Sequence, residues 1–419
     1  MAVIINSCAV SQDQRVRFAV VASGLLLVAT PLFGQTATRF TYADAQQRAL
    51  TNNPAIIAAQ ARRAIGTAGV AVAGERLNPE GRVEFDRDEP HQAYTIAVPL
   101  ELGGKRGRRV AVAEAAMRTV DAEISRIIVD TRNAVRRAYF DRTVADAKLA
   151  LLDDLQAIVT RARDAARQRF EAGSAPRLEV LQAELALSQA QNESVGARGF
   201  STAARTRFNA LLGLPADAAT SLETTALEPV VAIEAALSRA RSASAELTIL
   251  DRRLDEQRAR IALASAMQRP DLTPEGSITH GFAEDGPFQT GWKAALAVTL
   301  PIFTTHKAGV ALEESTLALL MTERTAADIR IAAAVAAAVA IADAQRQQFV
   351  RYRDEIVPQA IVVEQMADDA YRLGQTGIAA YLQALQATRD ARLRFLQAEA
   401  DLQSALADLD QAIGAPPQP

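Results

Sequence analysis

Beyond residue 40 the chain changes its hydrophobic period twice, and then does so again in the same order. Apolar residues first recur at helical spacing over about 42–76. They then alternate with polar ones through Arg82-Val-Glu-Phe-Asp-Arg87 and Gln92-Ala-Tyr-Thr-Ile-Ala-Val98, separated by Asp88-Glu-Pro90. Alternation bounded by turn residues predicts a strand pair over about 82–100, and Pro99 ends it because proline cannot donate to a ladder. The helical period returns over about 107–172 without a proline, turns at Gly173 and runs back over about 177–212. The second round has short helices over about 232–268 and strands over about 277–300, split by Glu284-Asp-Gly-Pro287 and ended by Pro301. A long helix follows over about 306–373, with Pro358 as a break candidate, then a turn at Gly374 and a helix over about 378–413.

The two rounds are an internal repeat. Phe170-Glu-Ala-Gly173 answers Tyr371-Arg-Leu-Gly374, Leu181-Gln-Ala183 answers Leu382-Gln-Ala384, and Leu212-Gly-Leu-Pro215 answers Ile413-Gly-Ala-Pro416, all at an offset of 201 residues. Val98-Pro-Leu100 and Leu300-Pro-Ile302 match more loosely. The predicted organisation is a first repeat at 38–213, a linker at 214–231, a second repeat at 232–414 and a tail at 415–419.

Leu151, Leu155, Ile158, Ala162 and Ala165 form one heptad seam, and Leu149, Leu152, Val159, Ala166 and Phe170 a neighbouring one. Leu402, Leu406, Leu409 and Ile413 give another. Two adjacent seams suit a helix with partners on both sides, as in a closed ring of helices; periodicity alone equally allows an antiparallel bundle. Ile331–Ala342 is an apolar run too short to span a bilayer and reads as a buried seam. Four short strands cannot close a useful barrel, whereas three chains would supply twelve without a free edge. Full pairing of this kind is what a bilayer requires.

Composition sharpens the picture. Hydrophobic residues make up 49% but aromatics only 5%, because 88 residues are alanine, which favours slender, closely packed helices. A net charge of −3 excludes the basic surface expected of a nucleic-acid binder. Arg15 and Arg17, the apolar run Phe18–Phe33 and the small residues Gly34 and Ala37 predict a signal peptide over 1–37. Its cleavage would remove Cys8, the single cysteine, and with it disulfide or thiol chemistry. His91, His280 and His306 have no metal-ligand spacing. Gly103-Gly104-Lys105 lacks the glycine spacing and Ser/Thr of a phosphate loop. We therefore expect no enzyme, no cofactor and no resident metal. Tyr94 and Trp292 suit a membrane interface.

Several stretches carry a family resemblance: Gln168-Arg-Phe-Glu-Ala-Gly-Ser-Ala-Pro-Arg-Leu-Glu-Val-Leu-Gln-Ala-Glu-Leu185, Ile356-Val-Pro-Gln-Ala-Ile361 and Ala370-Tyr-Arg-Leu-Gly-Gln-Thr-Gly377. With these the chain resembles the TolC-type outer-membrane efflux factor family. Glu101-Leu-Gly-Gly-Lys-Arg106 is similar to its CzcC-like heavy-metal cation branch. The resemblance implies a mainly α fold with a small β part: long helical hairpins forming a periplasmic tunnel, and four strands per chain of a trimeric twelve-stranded outer-membrane barrel. It implies a passive exit duct, a periplasmic adaptor and an inner-membrane pump of the resistance-nodulation-division type as partners, and outer-membrane lipid around the barrel. Heavy-metal cations are the expected cargo, with organic solutes or a secreted protein as alternatives. A secreted coiled-coil scaffold is the competing class; it explains the alanine stripes but not the strand pairs. The implied docking tips are Ala172, Gly173, Ser174 and Ala175, with Leu373, Gly374, Gln375 and Thr376. The implied entrance residues are Arg177, Glu179, Tyr381 and Gln383, with Glu179 forming an acidic ring and Arg177 near Tyr381. The expected barrel-to-helix turns hold Pro99, Gly103, Gly104 and Pro301, with Lys105, Arg106, Arg108 and Arg109 at the rim.

Overall fold

The computed structural model describes residues 38–88, 90–223, 232–282 and 288–414. The expected signal peptide, the second part of the linker, the Glu284-Asp-Gly-Pro287 turn and the tail lie outside these residues.

The first repeat contains β1 (Thr38–Phe40), α1 (Tyr42–Asn52), α2 (Pro54–Ala73), β2 (Glu80–Phe85), β3 (Gln92–Ala97), α3 (Lys105–Glu171) and α4 (Arg177–Leu211). Next come β4 (Thr220–Leu222), α5 (Ile233–Ala243), α6 (Ala245–Ala266), β5 (Asp271–Phe282) and β6 (Phe288–Thr299). The chain then forms α7 (Lys307–Arg351), a π-helical turn (Tyr352–Ile356), α8 (Val357–Arg372) and α9 (Ile378–Ile413). At about 1.5 Å per residue, α3 extends roughly 100 Å.

Local chemistry sets these boundaries. Thr41 and Asp44 form a capping box at α1. The Asn53 side chain caps α2, whose first residue is Pro54, and Ser244 caps α6. Pro358 cannot donate to the carbonyl four residues back, at Asp354, and its ring crowds it. The π-helical turn holds Asp354 and widens the helix at that point.

The linker is more ordered than expected. β4 falls within it and pairs in parallel with β1, Thr38 opposite Thr220 and Phe40 opposite Leu222. Asn209, fully buried, donates to the carbonyls of Pro215, Ala216 and Ala218 and accepts from Thr220. The buried Arg142 guanidinium holds Thr220, and the Tyr139 hydroxyl donates to Glu223 O at 2.5 Å. Two three-residue strands are too short to announce themselves in sequence; these polar contacts from α3 and α4 make them.

The second sheet has the order β2-β3-β5-β6, antiparallel throughout, so β2 and β6 are its edges. β5 and β6 each run 12 residues, and β5 starts at Asp271, before the predicted bound. Pro274 sits inside β5 yet its carbonyl still accepts from Val98 N–H at 3.0 Å. Its missing N–H costs one ladder bond, and pairing resumes beyond it where Leu100 and Leu272 exchange two backbone hydrogen bonds.

The helices bury one seam within the chain. On α3 this is Leu152, Leu155, Val159, Ala162 and Ala166, spaced 3-4-3-4. It draws from both predicted seams: Leu151, Ile158 and Ala165 lie half-buried beside it, and Phe170 is exposed. On α7 the buried set is Ile331, Val335, Ala338 and Ala342, the expected seam within Ile331–Ala342. By length and composition α7 through α8 would also pass as a membrane span, but that seam packs into a cluster with Leu402, Leu406 and Leu409 of α9.

Candidate functional site

Both hairpin tips are built by the same hydrogen bonds. At the first, Gly173 N–H donates to Phe170 O at 2.9 Å and Ser174 N–H to Arg169 O at 2.8 Å. At the second, Gly374 N–H donates to Tyr371 O at 3.1 Å and Gln375 N–H to Ala370 O at 2.9 Å. Gly173 has φ 73° and Gly374 φ 70°, the left-handed conformation that ends a helix in this way and favours glycine. Ala172, Gly173, Ser174, Leu373, Gly374 and Gln375 are exposed, while Ala175 and Thr376 are half-buried.

Behind the tips an aromatic stack within the second hairpin meets an arginine of the first. Tyr371 and Tyr381 lie nearly parallel, centroids 5.4 Å apart, and the Arg169 guanidinium sits 4.9 Å over the Tyr371 ring. Val159, Ala162 and Ala166 of α3 and Ala183 of α4 complete this core. Half-buried Glu179 reaches across from α4: a Cβ placed on Gly377 would stand 3.6 Å from its Oε1. Burial raises the Tyr371 phenol above its ordinary value, and the Glu179 charge adds to this against Arg169. The Tyr381 phenol is likewise raised, first by burial and then by the Asp368 carboxylate. Glu179 Oε2 and Thr376 Oγ1 are buried with no hydrogen-bond partner among the described residues. A groove of about 550 Å³ opens beside the stack, lined by Arg161, Arg169, Glu364, Asp368, Tyr371 and Tyr381.

Some of the expected entrance residues are brought together and some are not. Glu179 and Tyr381 flank the same aromatic residue. Arg177 and Gln383 are exposed, and no ion pair or ring contact joins Arg177 to Tyr381 among the described residues. Tyr381 instead buries its ring on Tyr371, a larger apolar gain than a solvated cation offers. Tyr371, Arg169 and Asp368 were missed; the only signal was that Tyr371 answers Phe170 at the repeat offset.

The second constellation joins sheet to helix. Lys105, only 5% exposed, pairs with Asp271 at 2.7 Å, and the other Asp271 oxygen accepts from Leu102 N–H at 3.0 Å. Lys105 is therefore not a free rim charge: a buried ammonium needs a carboxylate beside it. Arg109 pairs with Glu101 and Arg106 donates to Gly74 O, while Arg108 is exposed. Gly103 has φ 74°, and a Cβ there would meet Arg269 Cδ at 2.5 Å, so glycine is required by conformation and by space. Gly104, φ 71°, starts α3; Pro99 and Pro301 follow the ends of β3 and β6. Among the described residues no group of His, Cys, Asp and Glu could hold a metal ion.

The sheet register aligns Val83, Tyr94, Ile278 and Trp292 in one row across all four strands. Trp292 is 84% exposed and Val83, Tyr94 and Ile278 are exposed with it, an uncovered apolar face. The outer membrane efflux protein profile matches residues 45–214 and 236–415, one match for each repeat.

The chain belongs to the outer membrane efflux protein family. A nickel-cobalt-cadmium resistance protein, NccC, of Alcaligenes xylosoxydans xylosoxydans is 26% identical over 306 residues, 68% of this chain and 66% of that protein. The cobalt-zinc-cadmium resistance protein CzcC of Cupriavidus metallidurans is 26% identical over 211 residues, 49% of each. The chain thus spans about half to two thirds of the length of these relatives. Its fold is that of the CmeC outer membrane channel of Campylobacter jejuni, with TM-score 0.75 over 89% of this chain and 85% of that one at 14% identity. The fold expected from sequence, long helical hairpins with a four-stranded sheet segment, is the one found.

Proposed function

We propose that this efflux protein is one protomer of a passive trimeric exit duct in the outer membrane, the last component of a tripartite system that expels heavy-metal cations. The observation that carries this reading is the open-edged sheet. β2 and β6 have no outer neighbour among the described residues, and an apolar four-stranded sheet with bare edges is stable in a membrane only when other copies close it. The long strands fit that role. Twelve residues extend about 41 Å, or roughly 31 Å of height at a tilt near 40°, against an apolar band of about 25 Å.

The hairpin tips dock a periplasmic adaptor through Ala172–Ala175 and Leu373–Thr376, and the adaptor connects to an inner-membrane pump. Glu179 and Tyr371 hold the two hairpins together behind that surface and set the entrance. The similarity to NccC and CzcC supports cobalt, nickel, zinc or cadmium as cargo.

Membrane fractionation with unheated and heated gel mobility tests the assembly: a heat-modifiable oligomer in the outer membrane is expected, and a soluble periplasmic monomer would overturn it. Deletion should sensitise cells to cobalt, zinc and cadmium; lost dye resistance with unchanged metal tolerance would refute the cargo. Single-channel recording of Glu179→Gln should show weaker cation selectivity, and an unchanged reversal potential removes the acidic ring.

A further inference from the structure

The polar face of the sheet carries its charges in layers. Glu80, Ala97, Glu275 and Ala295 form one row, and Arg82, Thr95, Ser277 and Lys293 the next row outward from the helices. The Thr95 and Ser277 hydroxyls meet at 2.8 Å, so this row shares one face. It is the face opposite Val83, Tyr94, Ile278 and Trp292. Along β3, Ala93, Thr95 and Ala97 are half-covered while Tyr94 and Ile96 are exposed, as on a sheet curving toward its polar side. Glu84, in the third row, lies 3.7 Å from Arg82. Lys293 makes no ion pair among the described residues.

We infer that the barrel is itself a charge filter, with a carboxylate layer of Glu80 and Glu275 on the helix side and a cationic layer of Arg82 and Lys293 beyond it. This layering depends on the trimeric closure proposed above. Twelve strands about 4.8 Å apart, tilted near 40°, enclose roughly 24 Å between backbones. Long side chains from opposite walls leave about 12 Å free, so a solute on the axis passes within about 6 Å of the charges. That is inside a Debye length of about 8–10 Å at physiological salt, so the lumen is not screened. Counting Glu84, each protomer sets two cations against one carboxylate in the two outer rows. A passive duct cannot bias direction, but across these two rows Arg82 and Lys293 outweigh the Glu84 carboxylate outside them, so a cation meets net positive charge there before the Glu80 and Glu275 layer. The cationic layer therefore raises the barrier to cations equally in both directions, and the carboxylate layer does the same for anions.

The test is the K⁺/Cl⁻ permeability ratio of purified protein in planar bilayers. Arg82→Gln with Lys293→Gln should raise it by at least about tenfold, because the double variant removes six unit charges from the trimer at about 6 Å from the axis in screened water. Glu80→Gln with Glu275→Gln should lower it by a similar factor. Ratios unchanged in both, or moved in the same direction, would overturn the layers. The face assignment is read separately in intact membranes with Cys8→Ser as background: Ser277→Cys should react with a membrane-impermeant maleimide and Ile278→Cys should not, and the reverse result refutes the filter. A wild-type protein that forms no pore would overturn the duct itself; pores with unaltered selectivity overturn the filter alone.

Discussion

Replacing Lys105 by methionine tests how the sheet is held to the helices. Stranding one partner of a fully buried ion pair costs about 3–5 kcal/mol. Here the Lys105 side chain is 6% exposed but that of Asp271 is 37% exposed. The stranded carboxylate therefore stays partly hydrated, and it keeps its bond from Leu102 N–H. A loss of about 1.5–3 kcal/mol follows. Lys105→Met with Asp271→Leu removes both charges and leaves only the Leu102 N–H without its acceptor, a cost of about 1 kcal/mol. The double variant should thus be more stable than the single one. A chain of this length shifts its melting temperature by about 1–2 °C per kcal/mol. Thermal melts followed by circular dichroism should place the single variant about 2–5 °C below wild type and the double variant between them. Coincident melts for wild type and Lys105→Met, or a double variant below the single one, would refute the clasp.

The tip stack should be alkali-sensitive. The Tyr371 phenol is raised above 10.0 in the folded chain, so its stabilising contribution is whole below pH 10 and is lost as pH rises through the folded value. Tyr371→Phe should flatten the fall in melting temperature above pH 10, and an unchanged slope would count against the burial argument. Ala183 is fully buried between hairpins, so Ala183→Leu should destabilise by about 1–3 kcal/mol, read as a lower melting temperature. His306 begins α7 at φ 54° where Gly104 begins α3 at φ 71°. His306→Gly should therefore cost nothing in thermal melts, whereas Gly104→Ala should lose about 1–2 kcal/mol.

What the sequence could reveal follows from the range of the forces involved. Helix and strand periods, the Pro99 and Pro301 stops and the Gly173 and Gly374 turns are local, and all were legible. β1 and β4 were not, because they depend on Asn209, Arg142 and Tyr139 reaching from distant helices. Lys105 read as a rim charge because the Asp271 that buries it lies 166 residues away. The repeat itself misleads at the tips. Phe170 and Tyr371 occupy equivalent positions, yet Phe170 is 42% exposed and Tyr371 3%. Each depends on the residue 10 positions further along the chain: Tyr381 offers Tyr371 a ring to stack on, whereas Phe170 is answered by Val180.

The same comparison extends to apolar stripes beyond α3. A single chain buries one seam on α3, and other apolar stripes stay uncovered. On α4, Leu178, Leu181 and Leu185 are 61%, 51% and 61% exposed, at heptad spacing. On α8, Val362 and Met366 are exposed as well. Both stripes lie on helices that meet at the tips, where the chain's own packing is already complete around Tyr371 and Tyr381. Leaving five such side chains half to two thirds in water forgoes about 1–2 kcal/mol each. We expect the trimer proposed above to cover them, so that the periodicity one chain leaves unused would specify the next copy.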